Sequence, residues 1–389
     1  MGYSGVRGGM NAILAAERLV RRSRDHAPAE WASTEQIVLR FRLAVDRIMG
    51  EAGLYDPPTA ADAFRQAEGD VLEAAHLVRA HRSTLPRLAV TEPVDPDEMV
   101  VLRRIVPAHR TPDGPQLLGR TTDYTGRLLE RPAGEQGDDF ARNHRPAGVE
   151  SDDFARNRHE AEQERPAERT PEQRQPRRFY QLLRDLDLVV EHGEPAEDPE
   201  PFDITRRAAR PPAPRSAVLS SMARAETGAL VGLWYRSILG PDGDVHEITL
   251  GDTRHGRVPL RVVHPHTGKP VEIGQIRVTE AEGIEDLDGA DEDRTRFDVG
   301  YGLCFGHNER KAIAMANLDI AWRRAAPDSP LEQLLLLTTD GLDSGGFLEH
   351  LKLPHYVTFR SMVDRKLARR TARNSTEPRV PEPFGEECR

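Results

Sequence analysis

The chain predicts an α+β protein, mostly helical in its first part and built later around an antiparallel sheet. Two observations carry this: apolar residues recur every three or four positions up to about residue 80, and from Val245 onward the period is two. A third observation separates the halves, because residues 131–178 carry almost no large apolar side chain.

A helix from about Asn11 to Arg22 follows the glycine-rich opening. Ile37, Phe41, Ala44, Val45 and Ile48 then form one apolar stripe at helical spacing. A third helix begins near Thr59, contains Phe64 and stops at Gly69. Asp70 is placed to cap a fourth, with Glu73 three positions on as capping-box partner. Leu72, Ala75 and Val78 line that helix, and Pro86 ends it. Residues 1–130 are therefore taken as one mostly helical region.

RPAGEQGDDFARNH (131–144) is repeated as RPAGVESDDFARNR (145–158), and only Phe140, Val149 and Phe154 are large and apolar in 131–178. Too little area can be buried there to offset the entropy of ordering, which predicts a disordered insertion rather than a solenoid. An apolar pattern resumes over Leu182–Val190, prolines crowd 195–214, and a helix is predicted over about Glu226–Ile238. Val258, Leu260 and Val262 alternate, as do Val271 and Ile273, and His266-Thr267-Gly268-Lys269 makes the turn of a hairpin between them. Phe297–Phe305 is strand-like, a helix follows from Glu309 to Arg323, and a short one covers Leu331–Leu337. This α+β region runs 179–370, and 371–389 is predicted as a disordered polar tail.

Composition narrows the function. The formal net charge of −10 argues against a protein that tracks nucleic-acid phosphates. No run of about 18 apolar residues exists to span a membrane. With only Cys304 and Cys388, and no secretory leader at the start, a reducing cytoplasm is the expected compartment. Arginine is abundant while lysine is confined to Lys269, Lys311, Lys352 and Lys366, so single arginines carry little weight. There is no P-loop, paired C-x-x-C, H-E-x-x-H or G-x-S-x-G sequence.

Three constellations remain. In GYGLCFGHNERKAIAMA (300–316), Asn308 is placed to cap a helix opened by Glu309, Arg310 and Lys311. Free N–H groups and the helix dipole would suit a phosphate there, although an ordinary capped helix has the same pattern. In His350-Leu-Lys-Leu-Pro-His355 the proline breaks the helix, so two imidazoles could converge on a divalent metal, most plausibly zinc. A third ligand would have to come from Cys304 or from a partner, and solvent-exposed histidines are the alternative. In GPQLLGRTTDYTGRLLE (114–130), Asp123 and Tyr124 sit in a glycine-bounded loop. An aspartate there could stabilise an oxocarbenium ion, or simply bond its own backbone in a turn.

Together with GVRGGMNAI at the start, LAVDRIMGEAG (43–53), RAHRSTLPRLAVTEP (79–93) and GGFLEHLKLPHYVTF (345–359), these stretches resemble the PhnI family in sequence and in order. The resemblance spans the chain apart from 131–178 and the tail. It implies a subunit that works with PhnG, PhnH and PhnL to exchange the purine of Mg-ATP for a phosphonate such as methylphosphonate. The products are adenine and α-D-ribose 1-methylphosphonate 5-triphosphate. Alone, such a protein is implied to act as a purine nucleosidase on ATP or GTP. The resemblance also implies a homodimer within a core complex containing PhnJ, and zinc at the PhnJ boundary bound by His350 and His355. Asp123 and Tyr124 are then the candidates for catalysis, and Asn308, Arg310 and Lys311 for the nucleotide phosphates. The competing reading is a scaffold subunit with a structural interface metal.

Overall fold

The computed structural model describes residues 10–25, 32–121, 176–192, 201–239, 248–287, 293–341 and 356–376. Among these lie eleven α-helices and one four-stranded antiparallel sheet, which bears out the α+β expectation.

Five helices come first: α1 (Met10–Asp25), α2 (Thr34–Arg40), α3 (Arg42–Ala52), α4 (Pro57–Gln66) and α5 (Val71–Thr84). The stripe from Ile37 to Ile48 is not one helix, because Phe41 adopts φ −109°, ψ 33° and breaks it into α2 and α3. Phe41 instead packs beside Phe64 of α4, ring centroids 5.5 Å apart. Ile37, Val45, Ile48 and Met49 from α2–α3 meet Ala60 and Ala61 of α4 and Ala74 and Val78 of α5 in one buried cluster. At about 1.5–3 kcal/mol for each large apolar side chain buried, this contact rather than helix propensity holds the short helices. Asp70 caps α5 as expected, its carboxylate accepting from the N–H groups of Leu72 and Glu73.

The strands are β1 (Val100–Ile105), β2 (Ile248–Val263), β3 (Pro270–Asp286) and β4 (Phe297–Phe305), paired in that order. The β2–β3 turn falls at the predicted place, with Val263 opposite Pro270. Two features were not foreseen. β1 lies inside the region read as helical, and the hairpin continues far beyond Ile273 through Thr279, Glu280 and Glu282, all buried. Between β1 and β2 come α6 (Phe179–Asp185), α7 (Arg215–Arg224) and α8 (Thr227–Leu239); α7 also lacked a sequence expectation.

α9 (Glu309–Arg324) packs on β3 and β4 and centres the largest apolar cluster, where Cys304, Ala312, Met315 and Leu318 meet Val218, Met222 and Leu230. Gly300 and Gly302 make that approach possible, since a Cβ at either would lie within 2.2 Å of a carbonyl oxygen of α9. α10 (Pro330–Leu337) matches its expectation. α11 (Tyr356–Thr376) extends into the segment expected to be tail. No described helix is long and apolar enough to cross a membrane.

Candidate functional site

A cleft of about 860 Å³ opens where α3, the sheet and the segment 116–121 meet. Five guanidinium groups line it: Arg42 from the start of α3, Arg103 from β1, Arg257 from β2, Arg277 from β3 and Arg120 from the segment. Among the described residues, no carboxylate lines it. In a chain of net charge −10 this is a strongly cationic surface of separate origins.

The back of the cleft is fastened by Asp46, which is fully buried on α3. Its carboxylate accepts from Arg277 Nη2 (3.0 Å) and from the His307 N–H (3.1 Å). Its carbonyl accepts from Asn308 Nδ2 (3.0 Å). The turn after β4 wraps this aspartate so closely that Gly306, at φ 70°, would bring a Cβ within 2.6 Å of Asp46 Cβ. LAVDRIMGEAG and GYGLCFGHNER are thereby bolted together.

Two imidazoles stack in the cleft, His255 and His307, with centroids 4.3 Å apart and planes 10° from parallel. His255 Nδ1 lies 3.0 Å from the Val278 carbonyl, to which it can only donate, leaving Nε2 as an acceptor. Burial, then the neighbouring His307 and Arg277, push its pKa down to about 3, so it is uncharged at neutral pH. Arg42 Nη1 lies 2.6 Å from His307 Nδ1; a guanidinium only donates, so this nitrogen accepts and the ring proton sits on Nε2. That Nε2 is 3.6 Å from Glu309. Burial would raise the Glu309 pKa, but bonds from His307 and Arg103 hold it at about 2.

The segment 116–121 hangs on the edge of β1. Leu117 and Arg104 exchange both backbone hydrogen bonds (2.8 and 2.9 Å), and Arg103 Nη1 donates to the Leu118 carbonyl (2.5 Å). Gly119 has φ 58°, and a Cβ there would meet the Leu102 carbonyl oxygen at 2.8 Å. Among the described residues, the buried Nε of Arg257 has no hydrogen-bond partner. The cleft therefore offers a donor-rich, cationic surface suited to a polyanion, with guanidinium forks matched to phosphate oxygens.

The sequence expectations map unevenly onto this site. Asn308 is there, but its side chain binds Asp46 and the Phe305 carbonyl instead of capping α9. Arg310 is exposed. Lys311 is only 1% exposed, and burial drives its pKa down, with Cys304 and Glu51 opposing; it is not a point charge at an open helix start. Cys304, the in-chain candidate for a third metal ligand, is 2% exposed in the apolar cluster around α9, and burial pushes its thiol up to about 12. Asp123, Tyr124, His350 and His355 lie outside the described residues. Arg42, Arg103, Arg257, Arg277, His255 and His307 were not singled out from sequence. Arg103 in VVLRRIV and His255 and Arg257 in RHGRVPLRVV had strand-like placement as a signal, and His307 lay inside GYGLCFGHNER; Arg42 and Arg277 had none of these.

The opposite face of the sheet is charged too, but internally matched. Arg254 and Glu280, 2% and 1% exposed, pair across β2 and β3. Arg178 reaches Asp97 (2.6 Å), Glu280 and Glu282, and the Tyr301 hydroxyl donates to Glu280 (2.7 Å). Burial, then the neighbouring Asp252, raise Glu282 to about 7 against the pull of Arg178. A second cleft, about 590 Å³, opens beside this network along β4.

The whole chain is of a recognised class. It matches the family described as bacterial phosphonate metabolism protein (PhnI) over residues 2–374. It is 41% identical to the putative C-P lyase subunit protein HtxH of Stutzerimonas stutzeri, covering 94% of this chain and 95% of that one. It is 36% identical to the alpha-D-ribose 1-methylphosphonate 5-triphosphate synthase subunit PhnI of Rhizobium meliloti (95% of each chain). For the Escherichia coli protein of the same name the identity is 35%, over 93% and 96% of the two chains. The protein is thus one of bacterial phosphonate metabolism, of the carbon–phosphorus lyase kind. Within that class it belongs to the PhnI family.

Proposed function

We propose that this chain supplies the nucleotide site of an α-D-ribose 1-methylphosphonate 5-triphosphate synthase, with the triphosphate of Mg-ATP held in the arginine cleft. The observation that carries the reading is one cleft lined by five guanidinium groups and, among the described residues, no carboxylate. To it GPQLLGRTT gives Gln116–Thr121, GYGLCFGHNER gives His307, and LAVDRIMGEAG gives the buried Asp46 that holds Arg277 and His307. Working with PhnG, PhnH and PhnL, the subunit breaks the C1′–N9 bond of the nucleotide and forms a C1′–O bond to methylphosphonate. The departing purine takes up a proton. Without a phosphonate, water is the acceptor and the chain is a purine nucleosidase on ATP or GTP.

Positive charge develops on the ribose as the C1′–N9 bond lengthens, and a carboxylate near C1′ lowers that barrier. Asp123 is our candidate, with Tyr124 beside it. Asp123 follows Thr121, a lining residue, by two positions in the sequence. Uncharged His255 is suited to accept a hydrogen bond from the nucleotide without repelling cationic character on the sugar. We further propose His350 and His355 as zinc ligands at a boundary with PhnJ, the third ligand coming from that partner because Cys304 is sealed in the core. A homodimer in a cytoplasmic core complex completes the proposal.

Purified chain incubated with Mg-ATP should release adenine, and Asp123→Ala should abolish release while leaving inorganic Mg-tripolyphosphate binding intact. Arg257→Ala should weaken tripolyphosphate binding about 10- to 100-fold, the worth of a charge-assisted contact. No adenine from the folded chain would favour the scaffold reading, and undiminished binding by folded Arg257→Ala would remove the cleft from the proposal.

A further inference from the structure

The wall of the arginine cleft is held from the far side of the sheet. Arg104 of β1, only 2% exposed, points away from the cleft-lining Arg103 and makes three contacts. Its Nε donates to Asp252 (2.5 Å), Nη1 to the Asp113 carbonyl (2.5 Å) and Nη2 to the Arg177 carbonyl (3.3 Å). Asp113 and Arg177 are also joined directly, the Arg177 N–H donating to the Asp113 carboxylate (2.8 Å). Next to them Gly114, at φ 74°, is pressed so close to Pro176 that a Cβ would lie 2.5 Å from that ring. Asp252 then accepts from the Phe179 N–H (2.7 Å), seating α6. The chain that leaves through the cleft wall at 113–121 therefore returns at 176–179 onto the same anchor.

We infer that Asp113 and Arg104 form a neck clamp that closes residues 114–176 into a loop and positions the cleft wall independently of what lies between. Asp113 and Arg104 are positioning residues: they act through Gln116–Thr121, not by touching the ligand. Joined at 113 and 177, the wall is anchored on its own side of the neck, so a change in the length of the tandem repeat should leave it in place. Without the neck, the tethers left to the wall among the described residues would include its two backbone bonds to β1, the bond from the Val106 N–H to Gln116, and the bonds from Arg103 to Leu118 and from Arg42 to the Arg120 carbonyl. This inference rests on the cleft being the phosphate site.

The test uses the full chain and inorganic tripolyphosphate with Mg²⁺, titrated calorimetrically. Asp113 is exposed, so Asp113→Ala should fold with an unchanged melting temperature, yet bind tripolyphosphate about five- to tenfold more weakly. Asp113→Asn keeps an acceptor for the Arg177 N–H and should stay within about twofold of the parent, a rescue that generic destabilisation would not produce. Deletion of residues 145–158 should also stay within about twofold. Wild-type affinity in Asp113→Ala, alongside weakened Arg257→Ala, overturns the clamp and leaves the cleft standing. A deletion that costs as much as Asp113→Ala overturns the insulation. Unchanged binding in both Asp113→Ala and Arg257→Ala overturns the cleft itself.

Discussion

Both faces of the sheet carry charged side chains, and they use them differently. On the face of the ion network nearly every guanidinium meets a carboxylate, as Arg254 does with Glu280 and Arg178 with three acids. On the cleft face, Arg103 meets Glu309 and the Leu118 carbonyl, Arg277 meets Asp46 and the Tyr55 hydroxyl, and, among the described residues, Arg257 keeps a buried N–H without a partner. Matched charge specifies how strands and α6 pack; a buried donor left unmatched, as at Arg257, is a standing cost that a bound anion relieves. The difference separates a structural from a functional use of arginine within one sheet.

The largest effect that would sharpen this contrast is on stability. Glu280→Ala removes the main partner of Arg254, leaving it the Pro96 carbonyl and Asp97, each at 3.2 Å. Stranding a buried charge in this way costs about 3–5 kcal/mol. Arg257→Ala, by contrast, should change unfolding free energy by less than about 1 kcal/mol, because the lost Nε had no bond to give up. Urea denaturation of the two variants makes the comparison. Equal losses would show that the two faces do not differ in kind.

A second effect separates the faces by pH. Glu282 rises from an ordinary 4.5 to about 7, so the folded state holds a proton that the unfolded state releases. Its stabilising contribution is complete below pH 4.5 and is lost as pH climbs through 7, on the order of 3 kcal/mol in all. His255 falls from 6.5 to about 3, so the unfolded state takes up a proton that the folded state refuses. That contribution is complete above pH 6.5 and is lost as pH drops through 3. Between pH 4.5 and 6.5 the two slopes oppose each other. Glu282→Gln should therefore expose rising stability from pH 4 to 6.5, and His255→Gln falling stability from pH 5 to 7.5. Thermal unfolding across that range decides it, and parallel profiles for the two variants would refute the assignment.

What sequence made legible follows from where charge is buried. α3, α4, α5, β4 and α9 were visible because their buried positions are apolar at a regular period, Ile48 and Val78 for example. The inner half of the β2–β3 hairpin was not, because Asp252, Arg254, Glu280 and Glu282 are buried as ion pairs and look like surface. β1 was hidden for the same reason, with Arg103 and Arg104 at its centre. The cleft was half legible. The motifs that build it were recognised separately, but Arg42, Arg257 and Arg277 come from three elements, and arginine is too common here for any one to stand out.

The smallest predicted effect bears on the one lysine that sequence had placed against phosphate. Lys311 sits at the foot of α9 with its ammonium buried and, among the described residues, without a hydrogen bond. Glu51 lies among its charged neighbours but also carries an unpartnered oxygen, Oε2. A methionine matches the lysine stem in length and removes the desolvated charge, so Lys311→Met should be neutral or stabilising by about 1 kcal/mol. Tripolyphosphate affinity should not change, since the cleft-lining cations are arginines. If Lys311→Met instead loses affinity while its melting temperature holds, the ammonium must reach the ligand after all. The boundary between matched and unmatched charge would then run through α9 rather than between the faces of the sheet.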